Sequence, residues 1–387
     1  MAKRTLKKHE IKQKHLFEAY ENASELPKRV RIEASSKCQL DCVECYMRTD
    51  PEGVANGCQL GNLKFKDFKK FVDENDIESV EISNHGEIFL NPELDKIIKY
   101  AYEKGIELNA GNGVNLNYLP KGMAETLVKY QFQSLVISID GATQETYEQY
   151  RVHGRLDKVL KNIEEINFYK KKYKSDLPIL TWKFIVFGHN EHEIPLVKKM
   201  AKKLKMELEF TANCAPEYSP LKDEAKVIKQ TGMITTDLSP HVMLEEYNNH
   251  QTDWFYCAFL WEEPQINWDG KILGCCSLYN DDFGGNAFKD GYLKAMNHSK
   301  MIYAKNMLTN NAPPAKDIPC TQCYAYIDLQ KSDYYMTSPK KLKLEKEALE
   351  KKKLEKKENA KKKTTKSSAK KTTAKKTTAK KTTTKKT

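Results

Sequence analysis

The sequence predicts an α/β fold, a parallel sheet of six strands with helices between them, followed by a small cysteine-bearing domain and a lysine-rich tail. Three observations predict it. Between Val30 and Thr211, strand-like and helix-like segments alternate through six repeats. The carboxyl ends of the strand-like segments are polar or glycine-rich, reading SSKC, NHGE, GNG, SIDG and FGHN. The ten cysteines are clustered, with Cys38, Cys42 and Cys45 inside eight residues and Cys257, Cys275, Cys320 and Cys323 forming a second group.

The candidate strands, in order, are RVRIEAS (29–35), SVEISN (79–84), IELNAG (106–111), SLVISID (134–140), ILTWKFIVF (179–187) and MELEFTAN (206–213). Between them LKFKDFKKFVDEN, PELDKIIKYAYEKG, LPKGMAETLVKY, RLDKVLKNIEEINFYKKKY and EIPLVKKMAKKLK repeat their apolar residues at helical spacing. Pro92 and Pro195 fall near helix starts, and Gly105 stands where the second helix should stop. Such βα repeats imply right-handed crossovers in either an incomplete barrel or a doubly wound sheet. In both, reactive residues gather at the strands' carboxyl ends, so the polar ends predict one site at one mouth.

Composition narrows the class. The chain has 387 residues, 40% hydrophobic and 30% charged, as in globular proteins. No window is apolar enough for a membrane span, and the basic N-terminus leads into no signal core, which predicts a cytoplasmic protein. From Lys340 onward, 21 Lys and 5 Glu carry +16, so the total of +12 leaves residues 1–339 at −4. The tail has no large apolar residue after Leu354 and is expected to be disordered, with a frayed helix at its start. The expected division is a 1–28 extension, a 29–215 barrel or sheet, a 216–337 cysteine domain and a 338–387 tail.

In a reducing compartment, clustered cysteines argue for metal ligation rather than disulfides. Three thiolates from one loop hold a metal centre with one position open, which a catalytic centre needs and a structural one avoids. A zinc site borrowing Cys58 or His85 is the competing reading. After Thr211 the alternation ends. QINWDGKILGCC reads as a hairpin turning at Asp269-Gly270, which brings Cys275 near Cys257, and Cys320-x2-Cys323 completes four ligands. A zinc ribbon competes here, and Cys276 competes with Cys275. Cys58 and Cys214 read as small apolar residues or neighbours of a site.

Cys38-x3-Cys42-x2-Cys45 followed by Tyr46, in the loop after the first strand, resembles the signature of the radical S-adenosylmethionine superfamily. The resemblance runs on through the strand ends and spans most of residues 29–335. His85-Gly86-Glu87 resembles the family's Gly-Gly-Glu, implying that Gly86 and Glu87 bind the methionine amino group; His85 departs from the usual glycine. Asn112-Gly113 resembles the Asn-Gly after the third strand. Ser138-Ile139-Asp140-Gly141, running into Arg151, is similar to the stretch that implies ribose contacts from Ser138 and Asp140 and a carboxylate contact from Arg151. The second cysteine group resembles the SPASM auxiliary-cluster domain in its shortened "twitch" form, implying one auxiliary [4Fe-4S] cluster on Cys257, Cys275, Cys320 and Cys323.

The resemblance implies a partial (β/α)6 TIM-like barrel, a small cysteine-ligated auxiliary-cluster domain and three cofactors: a [4Fe-4S] cluster on Cys38, Cys42 and Cys45, S-adenosylmethionine on its open iron, and the auxiliary cluster. The implied reaction is reductive cleavage to a 5′-deoxyadenosyl radical that takes hydrogen from a substrate C–H, the cofactors supplying the chemistry and the protein the positioning. With about 28 residues before the first strand, too few for a leader-binding domain, the expected substrate is a sugar- or aminocyclitol-like alcohol undergoing dehydrogenation. Peptide or protein maturation is the alternative within the family, and a zinc or iron-sulfur nucleic-acid-binding protein is the alternative outside it. The acidic body speaks against the latter. Expected partners are an electron donor such as flavodoxin or ferredoxin and, through the tail, polyanions; no membrane is expected.

Overall fold

The computed structural model describes residues 25–238, 257–275, 279, 281–331, 347, 348 and 351. Contacts divide the chain into two compact units, residues 1–336 and 337–387. In the second, Glu347, Ala348 and Lys351 are helical and exposed. The expected disorder of the tail, and Cys276, lie outside the described residues.

Six parallel strands form as expected: β1 (Arg29–Ile32), β2 (Ser79–Glu81), β3 (Glu107–Val114), β4 (Ser134–Ser138), β5 (Ile179–Val186) and β6 (Glu207–Ala212). Two more strands, β7 (Gln265–Ile266) and β8 (Ile272–Gly274), make the hairpin, and the sheet order is β6-β5-β4-β3-β2-β1-β7-β8. β7 runs parallel to β1, pairing Arg31 with Gln265 and Ile32 with Ile266, so the hairpin covers the backbone edge that β1 would otherwise expose. Asp269-Gly270 turns it as the sequence predicts; Gly270 has φ +92°, where L side chains are strained.

Along β1 and β5 burial alternates residue by residue. Val30, Ile32, Val80, Leu108, Leu135, Ile137, Leu180, Trp182 and Phe184 are buried on one face. Helices cover that face with apolar stripes, such as Leu94, Ile97, Ile98 and Ala101 in the helix Leu94–Lys104, which stops at left-handed Gly105. The opposite, concave face carries Arg29, Arg31, Ser79, Glu81, Glu107 and Asn109, none of them fully buried. Parallel sheets usually bury both faces; this one keeps a polar hollow.

Most strand ends differ from expectation by one to three residues, β1 stopping at Ile32 rather than Ser35 and β4 at Ser138 rather than Asp140, and two of the differences have a local cause. β2 stops at Glu81 rather than Asn84, because the Glu81 carboxylate accepts the Ser83 backbone N–H at 2.8 Å and its hydroxyl at 2.6 Å, closing a turn. β3 runs through Asn112-Gly113 to Val114, with its register to β4 shifting between Ala110 and Val114.

Candidate metal and cofactor site

The loop after β1 is built before its thiols are placed. Ser36 is buried, its hydroxyl donating to the Gln59 carbonyl at 2.6 Å and accepting the Gly61 N–H at 2.8 Å. Farther on, Asp41 and Val43 donate their N–H groups to Val152 and Tyr150, pinning the loop to the end of the helix Gln144–Tyr150. Cys42 is buried, Cys45 half-buried and Cys38 exposed. Desolvation by the surrounding loop nevertheless pushes the Cys38 thiol up to about 12, and Glu87, Cys42 and Cys45 push the same way. The three sulfurs are therefore within electrostatic reach of one another.

Two N–H donors aim at them. Asn115 Nδ2 donates to Cys38 Sγ at 3.5 Å, and Arg151 Nη1 to Cys42 Sγ at 3.6 Å. Sulfur acceptors in this arrangement suit thiolates holding an iron-sulfur cluster, whose properties depend on such hydrogen bonds. Among the described residues no trio of His, Cys, Asp or Glu closes to single-ion spacing. A cluster that gives each cysteine its own iron spreads the sulfurs wider than one ion does.

Buried carboxylates fix the surrounding loops. Glu33, 0% exposed beyond β1, accepts the backbone N–H of His85 at 2.7 Å and of Gly86 at 3.2 Å. Glu81 accepts that of Gly111 at 2.6 Å. Glu87, also 0% exposed, accepts Asn115 at 2.6 Å and Phe89 at 3.4 Å, and burial raises it to about 7. Asp140 accepts Arg151 Nε at 2.6 Å and the Ile185 N–H at 2.8 Å. Burial acts to lower the Arg151 pKa, but Asp140, then Cys42, override it and raise the pKa well above its ordinary value. Glu193 accepts the Ala142 backbone N–H at 2.6 Å and the Thr143 hydroxyl at 2.8 Å. Each carboxylate joins the end of one strand to the loop of another, so the mouth is organised by backbone donors rather than by ion pairs alone.

The residues singled out in sequence fall into three places. Glu87, Asp140 and Arg151 lie with Cys38 and Cys42. Asn112 accepts Arg31 Nη1 at 2.9 Å and donates to Asn84 at 3.1 Å, while a Cβ on Gly113 would lie 2.6 Å from Ser138 Oγ, so these three meet on adjoining strand ends. Tyr46 pairs its hydroxyl with His85 Nδ1 and stacks on Tyr279, ring centroids 3.9 Å apart. Tyr279 in turn donates to Asp50 at 2.8 Å. Gly86 packs so tightly that a Cβ would come within 2.2 Å of the Ser35 carbonyl oxygen. Glu33, Glu81, Asn115 and Glu193 were missed, because an acidic residue within or just beyond a strand carries no local sign of the backbone it will meet.

The second group also converges. Cys257 precedes the helix Ala258–Trp261, Cys275 follows β8, Cys320 lies within the short turn Pro319–Gln322 and Cys323 closes it. Cys320 is raised well above the ordinary thiol value by burial and then by Cys257, Cys275 and Cys323. Cys58 instead packs with Val54 and Leu273, and Cys214 is exposed.

No family model matches the chain. The antilisterial bacteriocin subtilosin biosynthesis protein AlbA of Bacillus subtilis (strain 168) is 25% identical over 297 residues, 71% of this chain and 61% of AlbA. The AdoMet-dependent heme synthase of Methanosarcina barkeri (strain Fusaro / DSM 804) is 27% identical over 183 residues, 46% of this chain and 48% of its own. The chain thus spans less than two thirds of either relative. Streptococcus suis SuiB superposes with TM-score 0.55 at 16% identity, covering 81% of this chain and 77% of SuiB, a likeness of fold. The same protein bound to precursor peptide SuiA gives 0.54.

Fold and thiols together define an α/β protein whose parallel sheet carries a three-cysteine loop after its first strand, as in partial-barrel neighbours. The likenesses in sequence to AlbA and the heme synthase and in fold to SuiB support a radical S-adenosylmethionine superfamily enzyme with a SPASM-type domain. Enzymes of that class use S-adenosylmethionine and a [4Fe-4S] cluster, with an auxiliary cluster in the SPASM branch.

Proposed function

We propose that this enzyme is an oxidoreductase that modifies a peptide or protein substrate, with one [4Fe-4S] cluster on Cys38, Cys42 and Cys45 and an auxiliary one on Cys257, Cys275, Cys320 and Cys323. The convergence of three thiols under the Asn115 and Arg151 donors carries the reading. Bound there, the clusters and S-adenosylmethionine supply a 5′-deoxyadenosyl radical that takes hydrogen from a substrate C–H, and an acceptor for the electron that remains. The chain's own part is to hold and orient. Glu33 sets the Gly86 backbone against the cysteine loop, Asp140 holds Arg151 beside Cys42, and Glu87 shapes the turn that carries Asn115.

Similarity to AlbA over most of the chain turns the preference from the small molecule expected from the short N-terminal extension towards a peptide. A cavity of about 770 Å³ opens at the amino ends of the strands, lined by Arg29, Asp76, Ser79, Lys104, Glu107 and Ser134 among others, and none of the cysteine-loop residues lines it, so it carries no weight in the choice of substrate. The second cysteine group, whose four candidate ligands suit one cluster, supports a second reading, dehydrogenation of a sugar- or aminocyclitol-like alcohol. Among the described residues no helix is long and apolar enough to cross a membrane. A reducing cytoplasm with a flavodoxin- or ferredoxin-type donor suits the proposed clusters, and the lysine tail is proposed to hold polyanions.

Anaerobic reconstitution tests the proposal. About eight iron and eight sulfide per chain are expected, with 5′-deoxyadenosine formed from S-adenosylmethionine and dithionite. Stoichiometric zinc without nucleoside product sinks it. Peptide and small-molecule fractions of a producing cell extract, offered separately, then distinguish the two substrate classes by which one yields an oxidised product.

A further inference from the structure

The two ends of the sheet are finished differently. Beyond β8 the chain returns, Ile272 donating its N–H to the Gly285 carbonyl and accepting that of Phe283, both at 2.9 Å, so this edge is covered. At the other end β6 is the last strand. The register fixes which of its backbone groups are spare. Ile139 donates its N–H to the Lys183 carbonyl, so Lys183 and every second residue of β5 face β4, while Trp182 and Phe184 face β6. Trp182 stands opposite Leu208 and so bonds to Glu207 and Glu209, the slanted pattern of a parallel pair. The N–H and C=O groups of Leu208, Phe210 and Ala212 therefore point away from the sheet, and they meet no partner among the described residues.

The two faces of this edge differ in chemistry. Glu209 stands opposite Lys183 on the concave side, with Glu207 on the same side two residues earlier, and both are exposed. Lys183 comes no nearer to Glu209 than 3.9 Å, and Glu207 pairs with no cation among the described residues. On the helix side Leu208 and Phe210 are half-buried, the Phe210 ring centroid lying 5.9 Å from that of Phe184. Past Ala212 the chain reaches Tyr218, which packs on Tyr150 and Phe187 in the same cluster as Cys42. The edge thus leads towards the first cysteine group.

We propose that β6 is the edge on which the substrate docks: an extended peptide segment bonds to the spare backbone groups of Leu208, Phe210 and Ala212 and carries lysine or arginine opposite Glu207 and Glu209. This rests on the peptide reading above. A strand added to an exposed edge gains affinity from main-chain hydrogen bonds and specificity from alternate side chains. Residues opposite one another in neighbouring strands share a face. A segment alternating basic and apolar residues therefore sets its cations on the two carboxylates over the hollow and its apolar side chains beside Leu208 and Phe210. Followed beyond Ala212, such a segment runs towards Tyr218 and the loop of Cys42. A sugar-like alcohol has no row of amides to offer this edge.

The probe is a short synthetic peptide alternating valine and lysine, offered to the reconstituted full chain. Amide hydrogen exchange across residues 207–212, followed by mass spectrometry, should slow by about tenfold on binding. The same peptide N-methylated throughout its backbone, which can no longer donate, should bind about tenfold more weakly by fluorescence anisotropy, and so should a counterpart with glutamate in place of lysine. Glu207→Lys combined with Glu209→Lys should reverse the preference between the lysine and glutamate peptides and leave uncoupled 5′-deoxyadenosine formation unchanged. Equal binding of the N-methylated peptide, or binding with exchange at β6 unslowed, overturns the proposal. Slow exchange in the free chain, at concentrations where it sediments as a dimer, also overturns it and gives the edge to a second copy. Oxidised product from the small-molecule fraction of the extract alone overturns the peptide reading itself, an outcome distinct from a peptide that is oxidised while β6 stays unprotected.

Discussion

Glu33 Oε2 accepts the backbone N–H of His85 at 2.7 Å. Its other oxygen takes Gly86 at 3.2 Å, so a carboxylate just beyond β1 determines the path of the loop after β2. That loop meets the cysteine segment again where Glu87 donates its backbone N–H to the Lys37 carbonyl at 2.7 Å. Two loops separated by some fifty residues are thus one unit.

Burial raises Glu33 from 4.5 to about 8. Between those values the folded chain keeps a proton that the unfolded chain has lost. The stability linked to this group is full below about 4.5, falls as pH rises towards 8, and is flat above that. Calorimetric melting of the metal-free protein should therefore fall over that window, and Glu33→Gln should flatten the fall. Parallel pH curves for the two proteins would show that Glu33 titrates as an ordinary carboxylate.

Gly86→Ala should stop cluster assembly. A Cβ there would lie 2.2 Å from the Ser35 oxygen and 2.6 Å from the Lys37 oxygen, and both are backbone atoms held in place. The expected result is at least a several-fold loss of iron at the first site with a lowered melting temperature. Normal iron content in the variant would mean that the loop yields.

Asp140→Ala removes the partner of a guanidinium that is largely buried, side chains being 0% and 14% exposed. Breaking such a pair costs about 3–5 kcal/mol, measurable by urea unfolding. Asp140→Asn still offers an oxygen to the Ile185 N–H and should cost less. Equal losses from the two substitutions would assign the effect to the charge alone.

The two cysteine groups should separate by product. Replacing Cys38, Cys42 or Cys45 with Ala should abolish 5′-deoxyadenosine, whereas a folded Cys320→Ala, Cys323→Ala double variant should still form it and fail to oxidise substrate. Full nucleoside production by Cys42→Ala would refute the first assignment. Parental oxidation by the double variant would make the second group structural and favour a redox-neutral reaction.

Removing residues 340–387 should leave cofactor cleavage intact and abolish retention on a polyanion column at low salt, since lysine runs bind by counterion release. Loss of turnover on the true substrate would instead make the tail a recruiting element.

Sequence alone determined the six βα repeats, the order of motifs at the strand ends and the hairpin at Asp269-Gly270, because these rest on local periodicity, turn chemistry and short cysteine spacings. It also singled out Glu87, Asp140 and Arg151, but not what they touch. Tertiary structure decided that β7 would pair with β1 and that β3 would shift register across Gly111 to Val114. It alone placed Asn115 beside Cys38 and Glu33 under the backbone of His85 and Gly86. These are long-range matters: a buried carboxylate or amide takes its role from the backbone or sulfur that folding brings to it from a distant segment, and such a partner leaves no trace in the residues on either side.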